Sequence, residues 1–503
     1  MALIGIDLGT SSVKVLVIAE EGQILGRGAA EYAIERPRPD WAEQSPDKWW
    51  DATVTAVRKA TLGLDARTGV IDAIGLSGQM HGTVLLDEAG HLLNPAVIWP
   101  DRRSRRQVAE ITGIIGAQRL ISLTGSPLAT GFQAATIRWF QQERPALWRE
   151  VSTILTPKDT LRWRLTREFG SEPSDGSGTL LLDIHQRDWS ADVLSAIGID
   201  AGLLPKIRPS TAVAGYLTKE AAGELGLPAG IPVFSGAADT ACGLLGAGVV
   251  DEGSLLLTIS SGGQLVTPAS KVEVDLEGRL HAFCSALEPT GEQPGWYQMG
   301  AILAAGLSLR WLRDQVLEMR QKEAYETMTA MAGEAPAGAN GLLFLPYLLG
   351  ERTPHMDPRA RGLFLGLTVA HGRPEMIRAV MEGVALACYD AYETLIEVST
   401  EAAQIVVAGG GARSRLWRQI IADVFGLPVR PVALEEQSAL GAALLAGGGL
   451  NIFEPATAAR EWAGYGPDVE PDARAHEQYG QLLSLFRDAY QKQSQDFEEF
   501  WRM

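Results

Sequence analysis

Residues 3–18 read LIGIDLGTSSVKVLVI, and this stretch decides the architecture. Leu3 to Leu8 is an apolar run of strand length, Gly9-Thr10-Ser11-Ser12 is a turn, and Val13 to Ile18 is a second strand. Glu20-Glu21-Gly22 turns the chain into a third strand from Gln23. The chain is therefore expected to open as an antiparallel hairpin with a small, polar tip. The pattern recurs in mid-chain. Ser254 to Ile259 reads as a strand, Ser260-Ser261-Gly262-Gly263 as a turn, and Gln264 to Thr267 as a strand. Two hairpins of one kind, each opening a long segment, form a weak internal repeat and predict two related α/β domains.

The length, 503 residues, also exceeds one ordinary core. The glycine-rich run Gly246 to Gly253 sets the expected boundary, giving domains over 1–248 and 249–446 and a helical extension over 447–503. Ser45-Pro46-Asp47 predicts a helix start, with Trp49, Trp50, Val54 and Val57 inside the helix. A strand from Ile71 to Leu76 runs into Ser77-Gly78-Gln79-Met80-His81-Gly82, Leu85 to Leu93 reads as a hairpin, and Ala96 to Trp99 as a strand. Ile231 to Phe234 leads into Ser235-Gly236-Ala237-Ala238-Asp239. Ile405 to Ala408 leads into Gly409-Gly410-Gly411-Ala412-Arg413 and a helix from about Ser414, and a last helix begins near Ala473.

Apolar residues make up 46% and charged residues 21%, the balance of a globular chain. The net charge of −17 disfavours nucleic acid and anionic membrane as partners. It also repels a nucleotide at long range, so any nucleotide site must be built locally. Cys242, Cys284 and Cys388 show no metal-ligand spacing, so free thiols in a cytoplasm are expected. No leader is evident, and the small-apolar stretch Ala439 to Leu450 is too short to span a bilayer.

Several short segments carry chemistry. Successive amides and hydroxyls at Gly9, Thr10, Ser11 and Ser12 suit a phosphate. Asp7 would sit at the strand end beside them, where a carboxylate requires a cation between it and the phosphate. Mg²⁺ is implied, with Asp7 as its anchor. An ordinary hairpin with a solvated Asp7 explains that segment equally well. Ser260, Ser261 and Gly262 could cradle further phosphates. Asp239, projecting from a strand end, suits the base that orients a hydroxyl for phosphoryl transfer. Its alternative is a cap for the helix from Thr240. Gly410 and Gly411, with Arg413 after them, would let backbone approach a flat ligand such as adenine. Gln79, Met80 and His81 lie between glycines and are read as ligand contacts. Trp41 is a candidate wall of the same pocket, although packing serves it as well. The basic run Arg102, Arg103, Arg105 and Arg106 is expected to be a solvated helix face.

Together, Asp7-Leu8-Gly9-Thr10-Ser11-Ser12, Asp239 and Gly409-Gly410-Gly411-Ala412 resemble the FGGY carbohydrate kinases. Gly350-Glu351-Arg352-Thr353-Pro354 and the glycine-bounded stretch Gly362 to Gly383 are similar to further motifs of that family. The resemblance runs from about residue 3 to about residue 446. It implies two ribonuclease-H-like domains of the actin-like ATPase fold with a central cleft, ATP and Mg²⁺ as cofactors, and a small sugar as partner. A homodimer is compatible with it. It makes Asp239 the base, places Asp7 near magnesium and puts Gly410 and Gly411 near adenosine.

Within the family, Gly78-Gln79-Met80-His81-Gly82 and Asp40-Trp41-Ala42-Glu43-Gln44 resemble the xylulokinase branch, which implies conversion of D-xylulose to its 5-phosphate. Three departures keep other sugars open. Thr240 stands where that branch often carries Asn. Ser260-Ser261-Gly262-Gly263 replaces the usual Gly-Thr-Ser-Gly turn, and Trp99-Pro100-Asp101-Arg102-Arg103 looks partly like the glycerol kinase pattern. Gluconate, glycerol, ribulose and pentitols are the alternatives, and a non-catalytic actin-like ATPase or sugar sensor is the alternative of a different class.

Overall fold

A computed structural model describes residues 1–64, 71–291 and 293–502. The chain forms two compact units. The first comprises Met1–Asp251, Ala269–Tyr297 and Glu436–Ala463, and the second Glu252–Pro268, Gln298–Glu435 and Gly464–Met503.

In the first unit, β1 (Ala2–Leu8) and β2 (Ser12–Ala19) pair antiparallel with Leu8 opposite Val13, and β3 (Ile24–Glu31) pairs antiparallel with β2. The next element, α1 (Pro46–Thr61), starts where Ser45 accepts the amide of Asp47. It buries Trp49, Trp50, Ala56 and Val57 in the core formed by Ile4, Ile6, Val15 and Val17. On the other side of β1 lies β4 (Ile71–Gly78), parallel to it. Then follow α2 (Pro157–Thr166), α3 (Pro173–Gly178), β5 (Val213–Tyr216), β6 (Pro232–Phe234), β7 (Ala237–Ala238) and α4 (Asp239–Gly246). The sheet order is β5-β6-β4-β1-β2-β3, with β7 beside the end of β4.

The small-apolar stretch beginning at Ala439 belongs to a buried helix, Gln437–Gly449, laid against this sheet. Gly5 and Gly75 permit the approach. A Cβ at either would lie 1.8 Å from a carbonyl oxygen of that helix.

The second unit repeats the plan. β8 (Ser254–Ile259) and β9 (Gly263–Ala269) form an antiparallel hairpin. They are joined by β10 (Trp296–Ile302), β11 (Gln404–Ala408) and β12 (Val429–Pro431) in the order β10-β9-β8-β11-β12, with β8, β11 and β12 parallel. α5 (Arg373–Ile396) and α6 (Arg415–Phe425) pack together, and α7 (Ala473–Arg502) docks on them. Tyr479 of α7 donates to Glu382 at 2.7 Å, and Arg487 to Asp390 at 2.6 Å.

Three local expectations change. Only Ala96–Val97 of the expected strand pairs as one. Arg103 is not solvated: its side chain is 2% exposed and binds Asp101 and Glu43, while its guanidinium lies 3.6 Å from the Trp41 ring centroid. Helix α4 is capped by Ala238, so Asp239 is its first residue rather than its cap. All three cysteines are free and buried. No helix among the described residues is long and apolar enough to cross a membrane.

Candidate active site

Strand register builds the first half of the site. Asp7 lies opposite Ser77 across β1 and β4, and Ser77 lies opposite Ala237 across β4 and β7. The three parallel strands thus end level, at Leu8, Gly78 and Ala238. Ligands of α/β sheets bind beyond such carboxyl ends. Asp7 accepts the Ser77 hydroxyl at 2.8 Å. Asp239 accepts the amide of Thr240 at 2.7 Å and its hydroxyl at 3.3 Å, both on Oδ1.

The charge of Asp7 reaches Asp239. Burial, and then the charge of Asp7, push the Asp239 carboxyl up to about 7. Burial also raises Asp7, and the Ser77 bond and the charge of Lys14 only partly offset it. A carboxyl that titrates near 7 is poised to accept a proton from a bound hydroxyl. Two half-buried, mutually repelling carboxylates also fit an oxygen-ligated divalent cation that completes its shell with water and phosphate. Among the described residues, no group of three or more His, Cys, Asp or Glu side chains is placed to hold a metal ion.

The tip after β1 is closed by the Gly9 amide on the Ser12 carbonyl at 3.0 Å. Side chains hold it from outside. Tyr32 donates to the Gly9 carbonyl. Gln44 donates to the Thr10 carbonyl at 2.7 Å, and the Trp99 indole to the Thr10 hydroxyl at 2.9 Å. Gln79 is 1% exposed and donates to Gln44 at 3.0 Å, which ties the loop after β4 to the tip after β1. Ser11 and Ser12 lie on the same turn.

Met80 and His81 enter an aromatic pocket. His81 has φ of 72°, a left-handed conformation unusual outside glycine, and its Nδ1 lies 2.6 Å from the Gly178 carbonyl. Its ring stands 4.2 Å from that of Phe132 and 6.1 Å from that of Phe283. Tyr297 places its hydroxyl 3.8 Å from the Met80 sulfur. The Tyr297 phenol is pushed up by burial and then by the charge of Asp239, so it links this pocket to the carboxylate. Phe132, His281, Phe283 and Tyr297 had no local sequence signal: they reach the pocket from distant segments through tertiary packing. Trp41 packs against Arg38, Arg103 and the edge of Trp139.

The second unit holds a cavity of about 650 Å³, lined by Ser260, Ser261, Gly410, Gly411 and Arg413 among others. Five residues from two separate segments thus meet in one space large enough for a nucleotide. Gly262 closes the turn beside it by accepting the Ser260 amide at 2.9 Å. The 303–307 segment braces the turn through amides of Ala305, Gly306 and Leu307 that donate to Ser260 and Ser261. Arg413 pairs with Glu435. Tyr325 and Trp417 also line the cavity, and neither stood out in the sequence.

Known proteins share this architecture. The model of the FGGY family of carbohydrate kinases, N-terminal domain, matches residues 2–246, and that of the C-terminal domain matches residues 265–449. The chain is 35% identical over 491 residues to the xylulose kinase of Escherichia coli, covering 97% of this chain and 98% of that one. It is 30% identical over 451 residues to the gluconokinase of Bacillus subtilis, covering 88% and 86%. The solved structure of the xylulose kinase from Rhodospirillum rubrum matches with a TM-score of 0.91 at 29% identity, covering 99% of this chain and 100% of that one. The two α/β units therefore have the actin-like fold of these sugar kinases.

Proposed function

This chain belongs to the FGGY family of carbohydrate kinases, and we propose that it transfers the γ-phosphoryl group of ATP to D-xylulose, giving D-xylulose 5-phosphate. The observation that carries the reading is the Asp239 carboxyl, raised to about 7 at the level ends of three parallel strands, one of which runs on into the loop of Met80 and His81.

In this reading, the first unit holds the sugar and orients its hydroxyl. Met80, His81 and the surrounding aromatic rings grip the carbon chain. Asp239 accepts a hydrogen bond from the reacting hydroxyl and takes its proton as the phosphorus–oxygen bond forms. The amides and hydroxyls of Gly9 to Ser12 take up phosphate oxygens. In the second unit, Ser260, Ser261 and Gly262 cradle phosphates, while Gly410, Gly411 and Arg413 border the nucleoside. A bound magnesium ion neutralises phosphate charge, and Asp7 is the residue that would anchor it. The remaining rate enhancement comes from positioning.

Gluconate is the second reading. It is favoured by the similarity to the Bacillus subtilis gluconokinase. ADP release measured with D-xylulose, D-ribulose, gluconate, glycerol and a pentitol separates the two. Preference for gluconate or glycerol over xylulose overturns the substrate assignment. Asp239→Asn is expected to lower kcat about 10²- to 10⁴-fold while leaving the sugar Kd within severalfold. Near-normal turnover in that variant would remove Asp239 as the base.

A further inference from the structure

Behind the sugar site lies a cluster of charged side chains that the proposed chemistry does not use. Lys158, Asp159 and Arg162 come from α2, Asp175 from α3, and Glu172 from the position that caps α3. All five are at most 1% exposed. Lys158 Nζ lies 2.7 Å from Asp159, 3.6 Å from Glu172 and 3.7 Å from Asp175. Arg162 pairs with Asp159 at 3.1 Å. Burying so many charges is a weak route to stability, so their geometry calls for a use.

The cluster ends on the loop that carries Asp239. Lys158 Nζ donates to the Ser235 carbonyl at 3.3 Å. Glu172 accepts the Ser174 amide at 2.7 Å and its hydroxyl at 2.8 Å. With its proton committed to Glu172, the Ser174 oxygen accepts the Ala238 amide at 2.9 Å. The same Glu172 carboxylate accepts the Ser210 hydroxyl at 3.3 Å, and Gly236 donates to the Ser210 carbonyl at 3.0 Å. The loop from Ser235 to Ala238 is thus held at its first residue, at Gly236 and at its last. Gly236 itself has φ of 72°, and a Cβ there would lie 2.0 Å from the Leu76 carbonyl oxygen. The opposite end of α3 presents the Gly178 carbonyl to His81. One six-residue buried helix therefore touches the segment before Asp239 at one end and the sugar loop at the other.

We propose that Ser174 and Glu172, backed by Lys158, are positioning residues: they fix the backbone at Ala238 so that the Asp239 carboxylate meets the reacting hydroxyl. This rests on the reading of Asp239 as the base. The hydrogen bond from the Ala238 amide constrains the Ala237–Ala238 peptide, one residue ahead of Asp239, and a misplacement of about 1 Å at such a group can cost about 10² in rate. Losing it lowers kcat more than it weakens sugar binding, because the sugar is gripped largely by groups that do not depend on that amide.

A matched pair of variants tests this. Ser174 and Ser177 are both fully buried on α3, and each hydroxyl oxygen accepts one distant backbone amide. The Ser177 oxygen accepts the Cys284 amide at 3.1 Å, not the Asp239 loop. Ser174→Ala is expected to lower kcat about tenfold or more, with the sugar Kd by calorimetry within about threefold of wild type. Ser177→Ala is expected to change kcat by less than about threefold at a comparable loss of Tm. Equal kcat in the two variants, or a Ser174→Ala defect confined to sugar Kd, overturns the proposal. Ser174→Thr, which keeps the hydroxyl, adds a third arm: if it folds, recovering part of kcat supports the role, and kcat no better than in Ser174→Ala counts against it. Asp239→Asn in parallel separates the two levels. If it stays active, the assignment of the base fails. If it is inactive while the two serine variants match, only the positioning role fails.

Discussion

The hairpin tips after β1 and after β8 occupy the same place in two similar sheets, yet they are built for different charges. Each hairpin is antiparallel, and each first strand has a parallel neighbour on its other side, β4 in one unit and β11 in the other. Each neighbour ends in a loop, Gly78-Gln79-Met80-His81-Gly82 in the first unit and Gly409-Gly410-Gly411-Ala412-Arg413 in the second. The first tip follows a half-buried carboxylate, Asp7, and is pinned by the side chains of Tyr32, Gln44 and Trp99. The second follows the neutral Thr258-Ile259 and is pinned by backbone amides of Ala305, Gly306 and Leu307. The tip beside the carboxylate is braced by side chains, and the tip beside neutral residues is braced by backbone. In the proposed reading, one of these two similar scaffolds does the chemistry and the other holds nucleotide.

One defect in each hairpin tests this contrast. Asp7→Asn keeps the side-chain volume and removes the charge, and is expected to lower kcat by about 10²- to 10³-fold. Ser261→Ala in the second tip is expected to raise the KM for ATP by less than about tenfold with kcat nearly unchanged. Steady-state kinetics at saturating sugar read both values. If Ser261→Ala damages kcat as deeply as Asp7→Asn, the division of labour fails.

A smaller effect is expected from the two loops. Met80→Ala is expected to raise the KM for sugar about tenfold without changing that for ATP, through lost packing against the aromatic pocket. Gly411→Ala should do the reverse, since a Cβ there would lie 2.4 Å from Ile259 Cγ2 and must displace the wall of the cavity. Nucleotide affinity by calorimetry checks the second case. Variants that move both constants together would show that the loops do not act separately.

Much of this contrast was legible in the chain itself. Leu3 to Leu8 and Ser254 to Ile259 are short apolar runs bounded by small polar turns, and such patterns survive tertiary context. Asp7, Asp239, Gly410 and Gly411 stood at strand ends, where register alone brings side chains together. What was not legible comes from distant segments. Tyr297 and Phe132 reach Met80 and His81 only by folding, and the returns of Ala269–Tyr297 and Glu436–Ala463 to the first unit carry no composition signal. Arg103 read as solvated because it sits in a basic run, and only the fold supplies the carboxylates of Asp101 and Glu43 and the face of Trp41. Asp239 read as a cap as well as a base, since a strand followed by a helix allows either role, and only the fold shows that Ala238 takes the cap position.

The smallest effect concerns stability, and it isolates the charge at the first site from its chemistry. The folded-state pKa of Asp239 lies near 7, above the ordinary 3.8, because burial and Asp7 oppose its ionisation. Between those values the unfolded chain releases the proton and the folded chain keeps it. The associated stability is full below about 3.8, falls as pH rises, and is gone above about 7. Asp239→Asn carries no such proton. In ligand-free protein, the Tm of Asp239→Asn minus that of wild type is therefore expected to grow from pH 5 to pH 7.5, by about a few degrees, and then to level off. Ser260→Ala and Ser261→Ala, in the neutral tip, should show a Tm difference independent of pH. A flat difference for Asp239→Asn would mean that its carboxyl is already ionised at pH 5, and the contrast between a charged half and a neutral half would then rest on Asp7 alone.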